Sequence, residues 1–183
     1  MKPTKDEAIA RGMNCIGGGK LLEEELAWLY DLAEMAPDSV AVEVGPFRGK
    51  SLVCWACARI GRGEIWATDI KCRSELSENM RVFSQEFECT MWWTQGNSWE
   101  TTNAVPSPLA FCFIDADHGI DGFPKDIIPW TAKVKRGGIV VFHDYDVWKP
   151  TVVVGRYVDA WQSLVNWELL GQVRSAIAFR RPV

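Results

Sequence analysis

The strongest constraint on this chain is an unbroken apolar run, Leu109-Ala110-Phe111-Cys112-Phe113-Ile114, that stops at Asp115-Ala116-Asp117-His118. A strand without alternation is buried on both faces, as in the middle of a parallel sheet covered by helices. A second such run, Ile139-Val140-Val141-Phe142, follows Gly137-Gly138 and stops at His143-Asp144-Tyr145. A third, Val40 to Val44, enters a turn carrying Gly45 and Gly49, and a helical pattern continues to about Arg59.

Helical and strand patterns alternate between these runs. Leu22, Leu26, Leu29, Tyr30 and Leu32-Ala33 recur at helical spacing among acids, and Pro37-Asp38 ends that helix. Residues 64–68 read as a strand closing at Asp69, 75–87 as a helix, and 89–94 as a strand before Gln95-Gly96-Asn97-Ser98. Residues 122–134 and 152–164 read as helices, and Trp167–Leu170 and Ser175–Phe179 as two closing β pieces. Residues 1–18 are read as a short, loosely structured N-terminal segment. Residues 19–183 are read as one α/β domain built on a mostly parallel sheet.

Composition narrows the partners. The formal net charge is −4, which argues against nucleic acid or an anionic membrane as the main partner. The first thirteen residues are polar and charged, unlike a signal peptide, and no apolar run reaches spanning length. The six cysteines show no disulfide framework, so the expectation is a reduced, cytoplasmic protein. Cys54-x-x-Cys57 falls inside a helix with no second pair, and reads as packing rather than metal binding.

Parallel sheets bind ligands beyond the carboxyl ends of their strands. Glu43, Asp69, Asn97, Asp115, His118, His143 and Asp144 all fall at or just past such ends. One of them alone is a turn residue; together they read as a site. Three ligands compete for the Val40–Ser51 turn. A P-loop needs one more residue between Gly45 and Gly49-Lys50-Ser51. A nicotinamide dinucleotide needs a glycine where Phe47 stands. S-adenosylmethionine carries no phosphate, and its cationic methionyl end suits Glu43. In that reading Gly45 and Gly49 admit the backbone, Ser51 and the helix start meet the carboxylate, and Asp69 accepts the ribose hydroxyls.

The residues also resemble those of class I S-adenosylmethionine-dependent methyltransferases. The likeness is to small-molecule O-methyltransferases of the caffeoyl-CoA and catechol type and of the macrolide-sugar type. Glu43-Val-Gly-Pro-Phe-Arg-Gly-Lys-Ser51 resembles their E-x-G-x-x-x-G-x-S loop, with Asp69 at the ribose acid. Gln95-Gly96-Asn97-Ser98 resembles their adenine-side segment, Ile114–His118 their fourth-strand motif, and Gly137–Tyr145 their fifth. The resemblance implies a Rossmann-like, mostly parallel seven-stranded sheet flanked by helices. It implies a cofactor site on Glu43, Gly45, Phe47, Gly49, Ser51, Asp69, Gly96, Asn97, Ser98 and Asp115.

It further implies methyl transfer to a small hydroxylated molecule, with His118 as base and His143 as the alternative. In the metal-dependent relatives an acid after the fourth strand and an acidic pair after the fifth bind a divalent ion. Asp115 and Asp144 match two of these positions, for Mg²⁺ or another divalent cation, and His143 stands where a second carboxylate or Asn is usual. Trp92, Trp93, Tyr145 and Trp148 are candidate aromatic walls. With so short an N-terminal segment the pocket is expected to be open, or completed by a second subunit of a homo-oligomer. A non-catalytic S-adenosylmethionine-binding module is the alternative to an enzyme.

Overall fold

The computed structural model describes residues 2–147 and 149–183, so Trp148 lies outside the described residues. Its elements in chain order are α1 (Lys5–Met13), α2 (Glu23–Met35), β1 (Val40–Val44), α3 (Lys50–Trp55), β2 (Ile65–Asp69), α4 (Ser74–Phe87), β3 (Met91–Gln95), α5 (Ser98–Thr101), β4 (Leu109–Ile114), α6 (Phe123–Lys133), β5 (Val134–Phe142), α7 (Val154–Val165), β6 (Glu168–Val173) and β7 (Ala176–Arg180). They form a seven-stranded sheet in the order β3-β2-β1-β4-β5-β7-β6. All neighbours are parallel except β7, which runs antiparallel to both β5 and β6. This is the expected Rossmann-like α/β sheet with its closing hairpin. No described helix is long and apolar enough to cross a membrane.

The unalternating runs are central strands. Every residue of β4 is buried, and its side chains divide between two cores. Phe111 and Phe113 pack with α1 to α4 on one face, while Cys112 and Ile114 pack with α6 and α7 on the other. The same two-residue period places Glu43 with Ala41, on the face covered by α3. Cys54 and Cys57 are both buried there as free thiols.

Two local readings are corrected. Residues 5–13 are not loose: α1 begins at a capping box in which Thr4 accepts from the Glu7 amide and Glu7 caps Thr4 in return. Ala8 and Gly12 bury this helix against α3, where a Cβ at Gly12 would lie only 3.0 Å from the Lys50 carbonyl oxygen and 3.1 Å from Cys54 Cβ. The helix expected over 49–59 tightens to a 3₁₀ turn at Ala56–Arg59. At its end the buried Arg59 guanidinium donates to the carbonyls of Ala33, Ala36, Pro37 and Ser39, at and after the end of α2.

Candidate active site

The sheet ladder continues one residue past its strands. Gly45 N–H donates to Thr68, Gly96 N–H to Asp69, Asp115 N–H to Val44, and His143 N–H to Ile114. These bonds align the residues after β1, β3, β4 and β5 along one edge. Beyond that edge lies a cavity of about 1070 Å³, larger than most single-ligand sites.

One end of the cavity is set by Asp69 and the Gly45–Arg48 turn. Asp69 accepts from the Phe47 amide (3.1 Å) with one oxygen and from the Lys71 amide (3.1 Å) with the other. A carboxylate oxygen has further acceptor capacity, so Asp69 is fixed yet still able to receive two hydroxyls. Phe47 adopts a left-handed backbone (φ 53°), and its ring lies between the guanidiniums of Arg48 and Arg73. Gly45 is set by backbone crowding. At φ 89° a Cβ there would lie 2.3 Å from the Asp115 carbonyl oxygen. Gly96, Asn97, Ser98 and Trp99 line the same end.

Several expected contacts fall elsewhere. Glu43 does not line the cavity. It is fully buried beneath α3 and accepts from Ser51 Oγ and from Trp55 Nε1, each at 2.5 Å. Burial pushes its carboxyl up to about 8, against those two hydrogen bonds. Ser51 does line the cavity, but its hydroxyl is spent on Glu43. Gly49 does not line it; with φ 90° it caps the short α3. The Ser98 hydroxyl turns away to Asp126, and the Asn97 amide to Glu100. Trp92 and Trp93 lie on β3, away from the cavity; Trp92 stacks on Trp66 and Trp93 packs on the core. Tyr145 hydrogen-bonds Asp159 (2.7 Å).

The other end carries a chain of acids and imidazoles. His118 Nε2 lies 3.2 Å from Asp115 Oδ1, and its Nδ1 lies 3.2 Å from Asp144 Oδ2. His143 Nδ1 lies 3.2 Å from the same Asp115 oxygen, and its Nε2 lies 3.1 Å from Glu25 Oε1. Burial works to raise the Asp115 pKa, but hydrogen bonds from His118 and His143 hold it below the usual carboxylate range. The bond to Asp115 raises His118. Burial would lower His143; Asp115 and Glu25 outweigh it and push the ring up to about 10. Both rings have acids at both nitrogens; His118 is the more exposed of the two and His143 the more buried.

Gly18 to Leu22 form part of the cavity wall, held in place by Arg48 Nη1 on the Gly17 carbonyl (2.7 Å) and Asn79 on Ile16. Residues 42–145 match the family described as Methyltransferase domain, more than half of the chain. The chain belongs to this family.

No curated protein matches the sequence. Among solved structures, this methyltransferase is similar to the O-methyltransferase NovP, at 17% identity and TM-score 0.69 over 88% of this chain and 81% of that one. It is similar to TomG of Streptomyces achromogenes, solved with SAM, at 14% identity and TM-score 0.69 over 97% and 91%. It is similar to MycE of the mycinamycin pathway, solved with Mg and SAH, at 19% identity and TM-score 0.66. That match covers all of this chain but 55% of MycE. At these identities the likeness is one of fold.

The methyltransferase brings one donor atom each from Asp115, His118 and Asp144 within 4.8 Å of one another. The group mixes two carboxylates with an imidazole nitrogen, whereas Mg²⁺ takes oxygen ligands in near-octahedral geometry and keeps several waters. His143 Nδ1 faces both carboxylates, 3.2 Å from Asp115 Oδ1 and 3.5 Å from Asp144 Oδ1. Glu25 and Ser175 are the rim residues that sequence reasoning missed. Glu25 is three residues into an apolar helix and reads as a cap, a role it also fills at the Leu22 amide (2.8 Å). Ser175 reaches His143 (3.2 Å) because the Tyr145 amide bonds the Ser175 carbonyl.

Proposed function

We propose that this protein transfers a methyl group from S-adenosylmethionine to a hydroxyl of a small molecule. The observation that carries the reading is the placement of His118. It lies between Asp115 and Asp144 on the rim of a cavity whose far end presents Asp69 and the Gly45–Arg48 turn. The donor's ribose would sit on Asp69, with its adenine toward Gly96–Trp99 and its methionyl end toward Ser51 and Lys50. The acceptor would lie between His118 and the wall formed by Leu21 and Leu22.

The acceptor oxygen attacks the methyl carbon in line with the sulfur. The new C–O bond takes an electron pair from oxygen, and the breaking C–S bond returns a pair to the sulfonium, leaving a neutral thioether. The hydroxyl proton passes to His118. For this the ring exchanges its Asp144 contact for the acceptor, while Asp115 keeps it oriented. Proximity and alignment supply much of the acceleration, and base catalysis about 10²- to 10⁴-fold more.

Calorimetry with S-adenosylmethionine, S-adenosylhomocysteine, NAD and ATP tests the first half. Binding of the adenosyl compounds alone is expected; binding of NAD or ATP alone would overturn the reading. On any hydroxylated acceptor the wild type methylates, His118→Ala is expected to lose about 10²- to 10⁴-fold in turnover and to keep S-adenosylhomocysteine affinity. A specific observation favours a second reading, a binding module: both His118 nitrogens already face carboxylates. Adenosyl binding with no transfer across a broad acceptor panel would select it.

A further inference from the structure

We propose that His143, held from behind by Glu25, takes the place of a divalent cation in this site, so that the Asp115–Asp144 pair binds no metal and methyl transfer runs without one. The proposal's account of transfer rests on the methyltransferase reading above; its account of metal binding does not.

A metal bridging two carboxylates lies between their facing oxygens and draws them together. In this protein the Nδ1 of His143 faces both acids, 3.2 Å from Asp115 Oδ1 and 3.5 Å from Asp144 Oδ1. An imidazolium there sets positive charge against both carboxylates, as a bridging cation would. His118 closes the opposite side, with its Nδ1 3.2 Å from Asp144 Oδ2 and its Nε2 3.2 Å from Asp115 Oδ1. Three of the four carboxylate oxygens are therefore within reach of an imidazole nitrogen. A hard cation binding both carboxylates would have to compete with imidazole nitrogens for these oxygens.

The His143 ring is not free to withdraw. It is only 9% exposed. Its Nε2 is fixed by Glu25 Oε1 (3.1 Å) and by the Ser175 hydroxyl (3.2 Å), and it meets the Phe113 ring edge-on. Glu25 is itself pinned, because its other oxygen accepts the Leu22 amide at 2.8 Å. The cap that starts α2 thus braces the imidazole from the side opposite the carboxylates. Glu25 acts on the site only through His143, as a positioning residue.

The test needs no acceptor. Wild-type protein, with and without S-adenosylhomocysteine, is titrated calorimetrically with MgCl₂, MnCl₂ and ZnCl₂. In parallel, ¹⁵N-histidine NMR follows Mn²⁺ broadening of the two ring signals. The expected result is no binding of any of the three below millimolar and no selective broadening. His143→Asp, which restores a carboxylate at this position, is expected to gain Mg²⁺ or Mn²⁺ affinity at least tenfold while still binding S-adenosylhomocysteine. Micromolar binding of any of the three ions by the wild type overturns the proposal, whether or not the variant folds. A folded His143→Asp protein that gains no affinity also overturns it. Failure to bind S-adenosylhomocysteine would instead defeat the methyltransferase reading and leave the metal result standing. Where an acceptor is known, unchanged wild-type turnover in chelator is the expected outcome, and loss restored by Mg²⁺ is the contrary one.

Discussion

Glu43 lies in β1 and Asp115 just past the adjacent parallel strand β4, near the same end of the sheet; Glu43 is fully buried and Asp115 half-buried. Their protonation is driven in opposite directions. Glu43 meets only a hydroxyl and an indole N–H, so burial wins and its carboxyl rises to about 8. Asp115 meets two imidazoles, and their hydrogen bonds and charge overcome burial. The cost of desolvation is similar in kind at both sites, and the charge of the partner decides the outcome. One acid acts as a neutral pin between β1 and α3. The other is an anion that orders two rings at a cavity edge.

Asp115→Ala breaks the comparison most severely. It strips both imidazoles of their shared partner and leaves buried positive charge beside Glu25 and Asp144 alone. The expected result is a loss of about 10²-fold or more in turnover, with destabilisation of about 3 kcal/mol in urea melts. Wild-type stability in that variant would show that the rings do not depend on Asp115. Gly45→Ala attacks the junction between the two strands. Its Cβ would sit 2.3 Å from the Asp115 carbonyl oxygen on a left-handed backbone. A cost of about 2–3 kcal/mol and weakened S-adenosylhomocysteine binding are expected, whereas Gly18→Ala, which meets nothing within 4 Å, should cost less.

The same contrast explains what was legible in the sequence. Strand ends are legible because a strand buried on both faces has no polar residue until it leaves the sheet. That is why Asp69, Asp115, His118, His143 and Asp144 stand out before any coordinates. Which way a side chain points at such an end is a matter of period and packing. Glu43 lies within its strand, one residue before the end, and alternation turns it under α3. Glu25 is hidden for another reason, since its partner His143 lies 118 residues away and only the fold joins them. Thr4-x-x-Glu7 is a readable helix start, masked by the polar composition around it. Among the described residues the cavity's tryptophan is Trp99, after β3, while Trp92 and Trp93 fall within that edge strand.

Glu43→Gln makes the smallest change and isolates the sign of the effect. The folded pKa of Glu43, about 8, lies above its ordinary value of 4.5. The folded state therefore holds a proton that the unfolded chain releases. Its contribution is full below about pH 4.5 and is lost as pH rises to about 8. Glutamine keeps an acceptor for Ser51 or Trp55 and cannot ionise. The variant should melt within a few degrees of wild type at pH 5 and clearly above it at pH 8.5, the gap opening between about pH 4.5 and 8 as the unfolded chain alone releases the proton. Parallel Tm curves across that range would mean that Glu43 is ionised in the fold, like Asp115, and the distinction between the two acids would fail.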